Sequence, residues 1–269
     1  MDRLRAGGVY LLVVLVGAGA FLYPFWLPSQ SLGTQAHAGD APLLAAVVGA
    51  LAVGAIVLEV RRGTMNGATI ALLGVLGAAA GLLRLLDLPG GGSGIFFLVV
   101  LAGAAFGPRF GLLLGLVAMA TSAIVTGGVG PWLPFQMLAL CWMGAGAGFV
   151  GRLTARLPRR SELAVLAAYG WVWGFVFGAI MNLWFWPFAV GEGDLSWTPG
   201  IGLSETLRRY WSFYVITSFG WDAAGALANA VLIAVTGGAL LPSFRRFAGR
   251  LRPHVEMNDV SDVPVGATR

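Results

Sequence analysis

The chain contains no lysine, a single cysteine and few charged residues of either sign. Charged residues make up 11% of the 269 positions, whereas soluble domains carry about 25%. Cys141 lies alone inside an apolar run, so it cannot form a disulfide within the chain, and we interpret it as a packed residue. Both histidines lie outside the apolar runs, which argues against an intramembrane metal site. The scarcity of charge excludes an ordinary soluble domain.

The sequence consists largely of long runs of apolar residues. Hydrophobic residues reach 58% and the mean hydropathy is +0.81, and one membrane crossing needs about 20 helical residues. The runs predict a polytopic helical membrane protein with eight spans, at 8–27, 43–60, 66–83, 94–106, 110–126, 135–150, 163–188 and 214–241. The fourth run is short, so we expect it to tilt or to bury its ends in protein. The first lacks a small-residue cleavage site, so we interpret it as a retained helix.

The arginines predict the orientation of these spans. Eight crossings place fourteen of the 17 basic residues on the side that holds both termini, and leave Arg84, Arg208 and Arg209 on the other. The arginine-rich side is expected to be cytoplasmic by the positive-inside rule. The polar segment after Leu251 has no apolar period and is predicted to be a disordered cytoplasmic tail.

Small residues recur at four-residue spacing along several runs. Such spacing lets helices approach closely in lipid, where packing drives association. For most runs we expect packing within the chain. The third run, ATIALLGVLGAAAGL, is small-residue-rich on more than one face, so both internal packing and docking of a partner protein stay open for it.

Polar and aromatic residues are concentrated at the outer ends of the predicted spans. Three glycines follow Arg84 and Asp87, which suits a loop that folds over a cavity, although an ordinary linker fits equally well. The amide of Gln136 needs hydrogen-bonding partners in lipid. Asp222 lies inside a run, where its carboxyl must pair, be protonated or face water. A structural hydrogen bond between helices and a ligand or gating contact both stay open for it. Together these features predict capture of an organic molecule, with the candidate residues Arg84, Asp87, Trp132, Phe135, Gln136, Asn182, Trp186, Tyr214 and Asp222.

The chain lacks the groups that intramembrane catalysis requires. No run contains a histidine to activate a serine, a second buried aspartate is missing, and there is no phosphate-binding Walker motif. The arginines lie at span ends and do not form a nucleic-acid patch. We therefore predict no enzymatic activity, no catalytic residue and no metal. The alternative is a polytopic enzyme or lipid-handling protein that uses Asp222, Arg208 and Arg209; a structural scaffold would have little reason to bury so many polar groups.

Residues 66–246 resemble a substrate-specific (S) component of an energy-coupling factor (ECF) transporter, the ABC-type vitamin importers. The resemblance is carried by the Ala/Gly-rich stretch at 71–81, the Gly-rich loop after it, the turn GGVGPWLPFQM and the segment NLWFWP. It implies an all-α membrane fold with a six-helix core at 63–250, two added transmembrane helices at 1–62 and a tail at 251–269. The GPWLPFQM segment and the added length look most similar to the corrinoid (cobalamin) branch, while thiamine-type and pterin ligands stay open.

The resemblance also implies partners and a location. The chain would capture a vitamin-like molecule at the outer face of a prokaryotic plasma membrane, with both termini cytoplasmic, under a lid formed by residues 84–94. It would deliver that molecule through a transmembrane coupling subunit driven by two ATPase subunits, so that ATP is used only by the partners and this chain holds no cofactor. The face that docks on the coupling subunit would be Ala71, Gly74 and Ala78, or Gly77 and Gly81.

Overall fold

The computed structural model describes residues 2–26, 36–88, 92–189 and 193–251. Within these residues the chain forms helices and one short antiparallel hairpin, whose strands β1 (Asp87–Leu88) and β2 (Gly92–Ser93) place Asp87 opposite Ser93. The α-helices are α1 (Asp2–Leu22), α2 (Ala41–Arg61), α3 (Gly67–Leu82), α4 (Ile95–Phe106), α5 (Pro108–Thr126), α6 (Leu133–Thr154), α7 (Arg159–Phe185), α8 (Leu203–Thr217) and α9 (Phe219–Leu251). The tail predicted after Leu251 lies outside the described residues.

Each of the first seven predicted apolar runs falls mainly within one α-helix. In the described part of the chain, six helices are long and apolar enough to cross a membrane, and two shorter apolar helices cover Tyr10–Phe25 and Ile95–Phe106. The prediction of an all-α polytopic membrane protein is therefore confirmed. The predicted boundary at residue 62 falls in the turn between α2 and α3.

The short helix α4 is enclosed by protein. It has 12 residues, of which all but the last two are buried, and it packs against α5, α6 and α9. The chain then turns at Gly107, whose φ of 97° suits glycine, and Pro108 begins α5. Protein contacts rather than lipid thus surround the segment that is too short to span a bilayer.

Glycines bring α4, α5 and α6 into backbone contact. A Cβ added at Gly111 would overlap the carbonyl group of Gly144, and one added at Gly103 would meet the same carbonyl oxygen. Farther along, a Cβ at Gly115 would overlap the carbonyl of Leu140. The expectation of internal packing is correct for these positions, because each glycine faces a neighbouring helix of the same chain.

The eighth predicted run, 214–241, is wrong at its start. The helix breaks at Ser218, whose φ is −130°, so Tyr214 belongs to α8 and not to the span that holds Asp222. Helix α8 is amphipathic and carries Glu205 among its first residues. The aromatic residues near its end obscured this break in the sequence, because they continue the apolar pattern of α9.

Helices α1 and α2 are attached to the other helices near both of their ends. At one end the buried His37 lies 2.8 Å from a carboxylate oxygen of Asp40 and donates through Nε2 to the carbonyl of Trp184, at 3.1 Å. At the other end Glu59 accepts a hydrogen bond from Tyr10 and lies 3.1 Å from Arg109. The two-helix addition is therefore a packed part of the molecule.

Candidate functional site

Two cavities lie side by side at the end of the bundle that holds the β-hairpin. Their volumes are about 190 and 60 Å³, and Arg84 lines both. Arg84 lies in the short 3₁₀ segment that joins α3 to the hairpin, and it is partly buried. We call the two cavities together the Arg84 site.

The larger cavity combines aromatic walls with polar atoms that lack a protein partner. The rings of Phe96 and Phe177 meet edge to face at 4.8 Å, and Trp221 lies at the exposed mouth. Within the described residues, Asp222 Oδ2 and Asn229 Oδ1 are buried without a hydrogen-bond partner. Both atoms are acceptors in this state, and leaving such a group unsatisfied costs about 1–3 kcal/mol. The cavity is thus suited to a guest that donates hydrogen bonds.

Glycine on α7 makes the room for Asp222. The three heavy atoms nearest to a Cβ added at Gly178 all belong to the Asp222 carboxyl, and the added atom would overlap them. One turn earlier, a Cβ at Gly174 would meet the backbone of Ala226 at 2.6 Å. Helices α7 and α9 therefore pack closely, and the Asp222 side chain occupies a notch in α7.

A tyrosine from α8 adds a hydroxyl group beside this carboxyl. Burial, helped by the neighbouring Asp222 carboxylate, raises the pKa of Tyr214. The hydroxyl of Tyr214 consequently keeps its proton at neutral pH. Tyr214 does not line either cavity, so its role in binding stays a prediction.

The smaller cavity lies under the turn between α5 and α6. Trp132 and Gln136 line it together with Arg84 and Ser122. The indole N–H of Trp132 donates to the carbonyl of Gly128 at 3.2 Å, which holds the ring against the turn. Among the described residues, no group of three or more His, Cys, Asp or Glu side chains lies close enough to hold a metal ion.

The model of the family described as "ECF transporter, substrate-specific component" matches residues 68–236. The chain belongs to this family. S components are membrane subunits that bind the substrate and associate with an ECF coupling component and ATPases; they are not enzymes. No curated protein and no solved structure matches the chain in the corresponding comparisons. The match begins in the first turn of α3, so α1 and α2 precede the matched part of this S component.

Two predicted site residues have structural partners instead of lining these cavities. Phe135 is fully buried against Phe21 and His37. The indole N–H of Trp186 donates to the carbonyl of Leu195 at 2.9 Å. These aromatic side chains close the packing at the end of the bundle.

Two further predicted site residues, Asn182 and Asp87, lie outside the two cavities in different surroundings. The amide of Asn182 exchanges hydrogen bonds with Ser218 Oγ, at 2.8 and 3.1 Å, and so ties α7 to the break between α8 and α9. The backbone of Asp87 lies in β1, opposite Ser93, and Asp87 does not line either cavity. A role of Asp87 in binding stays a prediction.

The structure adds residues that the sequence analysis did not select. Asn229 is 2% exposed and lies seven residues after Asp222, so the two share a face of α9. A buried amide at that spacing is the signal that could have identified it. Phe96 and Phe177 carry no comparable signal, because aromatic residues also occur throughout the packed interior.

The two candidate docking stripes lie on different faces of α3. Gly77 and Gly81 are buried, and added Cβ atoms there would meet Val117 and the Thr121–Ser122 segment of α5. In contrast, Ala71, Gly74 and Ala78 are exposed. Gly77 and Gly81 therefore serve packing within the chain, whereas Ala71, Gly74 and Ala78 are accessible to a partner.

Proposed function

We propose that the Arg84 site is the substrate site of this S component and that it takes a small organic molecule with hydrogen-bond donors. The observation that carries this proposal is that Asp222 and Asn229 line one cavity and that each has a buried acceptor atom, Oδ2 and Oδ1, without a hydrogen-bond partner in the described residues. A ligand N–H or O–H would satisfy both atoms, and the rings of Phe96 and Phe177 would contact its flat faces.

The size of the site bears on the substrate class. Ligand cavities usually measure about 300–1,000 Å³, and the larger cavity here has about 190 Å³. This volume favours a one-ring or two-ring vitamin, such as a thiamine-type or pterin compound, whose amino groups are donors. A corrinoid, the ligand suggested by the GPWLPFQM resemblance, would require a much wider opening.

The hairpin is proposed as the lid of the site. Strand β2 contacts α9, and Ser93 at its end lines the larger cavity beside Asp222. Arg84, at the root of the hairpin, lies between the two cavities. Movement of this segment would therefore open both cavities at once and would place a cation next to the ligand.

The arginine distribution supports an orientation in the membrane. The end of the bundle opposite the Arg84 site carries Arg109, Arg152 and Arg245, as the positive-inside rule expects of a cytoplasmic end. We accordingly propose that both termini are cytoplasmic, that the Arg84 site faces outward, and that the membrane is the plasma membrane of a prokaryote.

Binding is tested with the purified full chain in detergent. Tryptophan fluorescence, to which Trp221 at the cavity mouth contributes, would be titrated with thiamine, a pterin and cobalamin. Asn229→Leu removes one buried acceptor, so we expect affinity for the binder to fall about 5- to 150-fold, which corresponds to about 1–3 kcal/mol. The control is Ser243→Ala on the same helix. The hydroxyl of Ser243 donates to the carbonyl of Ala239, away from the site. No binding by folded protein, or equal binding by Asn229→Leu, would reject the site.

Docking is tested through the exposed face of α3. We propose that Ala71, Gly74 and Ala78 contact the coupling component, because small residues permit close helix approach. Ala78→Trp should prevent co-purification with that component and abolish uptake, while substrate binding is retained. Ala234→Trp, at an exposed alanine of α9, is the matched control. Uptake that survives Ala78→Trp would show that another face docks.

A further inference from the structure

A cleft lies at the end of the bundle opposite the Arg84 site. It consists of two adjoining cavities of about 350 and 380 Å³ that share Phe106, Gly107 and Arg152. The turn after α2, the junction of α4 with α5, and the ends of α6 and α9 form its walls. We call it the Arg152 cleft.

The acidic residue inside the cleft already has enough donors. Glu59 is 3% exposed. Its carboxylate accepts from the hydroxyls of Tyr10 at 2.8 Å and Thr64 at 2.5 Å, and it pairs with Arg109 at 3.1 Å. The charges of Glu59 and Arg109 therefore compensate each other, so Arg109 attracts a further anion only weakly.

A second arginine of the cleft is neutralised in the same way. Arg245 makes two parallel hydrogen bonds to the buried carboxylate of Glu162, at 2.8 and 2.5 Å. Thr154 also donates to this carboxylate, at 3.3 Å. This bidentate pair fixes Arg245 to α7, since a fork of two N–H groups matches both carboxylate oxygens.

Arg152 differs from both of these arginines. Among the described residues no carboxylate pairs with it, and its guanidinium lies 5.9 Å from the ring centre of Phe149. It is exposed and lines both cavities of the cleft. The cleft thus carries an uncompensated positive charge at its centre.

The surroundings of Arg152 decide which anion fits. Arg152 lies two residues before the end of α6, a helix of membrane-spanning length, and therefore at the level expected for lipid headgroups. Part of the wall around it is apolar and is formed by Met65, Phe106 and Phe110. A soluble anion would leave these walls in contact with water, whereas a lipid covers them with its chains.

We propose that the Arg152 cleft binds an anionic phospholipid, with the phosphate at the Arg152 guanidinium and an acyl chain against the apolar wall. Basic pockets between transmembrane helices are suited to such headgroups. This site is separate from the Arg84 site, and the proposal does not depend on the identity of the transported substrate.

Native mass spectrometry of the full chain tests the proposal. The protein would be released from micelles that contain equal amounts of phosphatidylglycerol and phosphatidylcholine with the same chains. We expect bound phosphatidylglycerol to predominate and to fall about fivefold in Arg152→Gln, the change expected for about 1 kcal/mol per basic residue. Arg152→Lys keeps the charge and should retain most of the lipid.

Two comparisons make the outcome decisive. Arg156→Gln removes an exposed arginine one turn away that does not line the cleft, and it should leave lipid binding unchanged. Unchanged thermal unfolding of Arg152→Gln shows that the variant is folded. Equal retention of phosphatidylcholine, equal losses in Arg152→Gln and Arg156→Gln, or displacement of the lipid by millimolar inorganic phosphate would overturn the proposal.

Discussion

The notch in α7 that holds the Asp222 side chain predicts that Gly178→Ala destabilises the protein. An alanine at this position would overlap the Asp222 carboxyl, and overpacking of a close contact costs about 1–3 kcal/mol. Alanine also favours a helix over glycine by about 1 kcal/mol. The net effect of Gly178→Ala should therefore be a destabilisation of up to about 2 kcal/mol.

The effect of Gly178→Ala on the free energy of unfolding should change sign when the Asp222 carboxyl is absent. In an Asp222→Ala background the overlapping atoms are gone, so the helix preference of alanine is left and Gly178→Ala should stabilise the protein by up to about 1 kcal/mol. The coupling between the two positions then amounts to about 1–3 kcal/mol, well above the roughly 0.3–0.5 kcal/mol within which independent sites add.

A double-mutant cycle in detergent measures this coupling. The free energy of unfolding of the four proteins would be obtained from denaturant titration followed by tryptophan fluorescence. Gly220→Ala provides the control, because a Cβ at Gly220 would have no neighbour within 4 Å. Additive effects of Gly178→Ala and Asp222→Ala would refute the inference that the α7 notch exists to hold the Asp222 carboxyl.

Two further predictions concern charged groups outside the Arg84 site. Arg245→Gln leaves the Glu162 carboxylate, which belongs to a residue that is 3% exposed, without its bidentate partner, so the free energy of unfolding should fall by about 3–5 kcal/mol; a loss below about 1 kcal/mol would contradict this. Hydrogen bonds from Arg208 and Arg209 lower the pKa of Glu205 to about 2. Because this value lies below the value of about 4.3 expected in the unfolded chain, the stabilisation is present above a pH of about 4.3 and is lost as the pH falls toward 2. Carboxyl NMR titration would measure this pKa, and an ordinary value would exclude the ion-pair cluster.

The fold was largely predictable from the sequence, because a long run of apolar residues is a reliable sign of a transmembrane helix. The exceptions have physical reasons. The boundary at Ser218 was missed because Tyr214 and Phe219 continue one apolar pattern across it, and a helix break without Pro leaves little trace. The short run 94–106 connects the two ends of the bundle although it is too short to span a bilayer, because its protein neighbours replace lipid around nearly all of α4.

The site was predictable only in part. Polar residues in apolar sequence are expensive, so Gln136 and Asp222 were identified from that cost alone, and both line cavities of the Arg84 site. Aromatic residues at span ends carry no such cost, and Phe135 and Trp186 turn out to be packed against other parts of the chain. Whether the lining residues bind substrate stays a prediction that the titrations above decide.

The two stripes of α3 show why spacing alone could not assign the docking face. In water, a helix directs its apolar side inward, and the polar residues on its opposite side reveal which way it faces. In a bilayer both faces of α3 are apolar, since lipid and protein interior accept the same side chains. Gly77 and Gly74 therefore look equivalent in the sequence, although an added methyl group would meet Val117 of α5 at the first and open space at the second. Only the position of α5 separates them, so the docking test depends on substituting the exposed stripe, where a bulky residue can block a partner without disturbing α3 and α5.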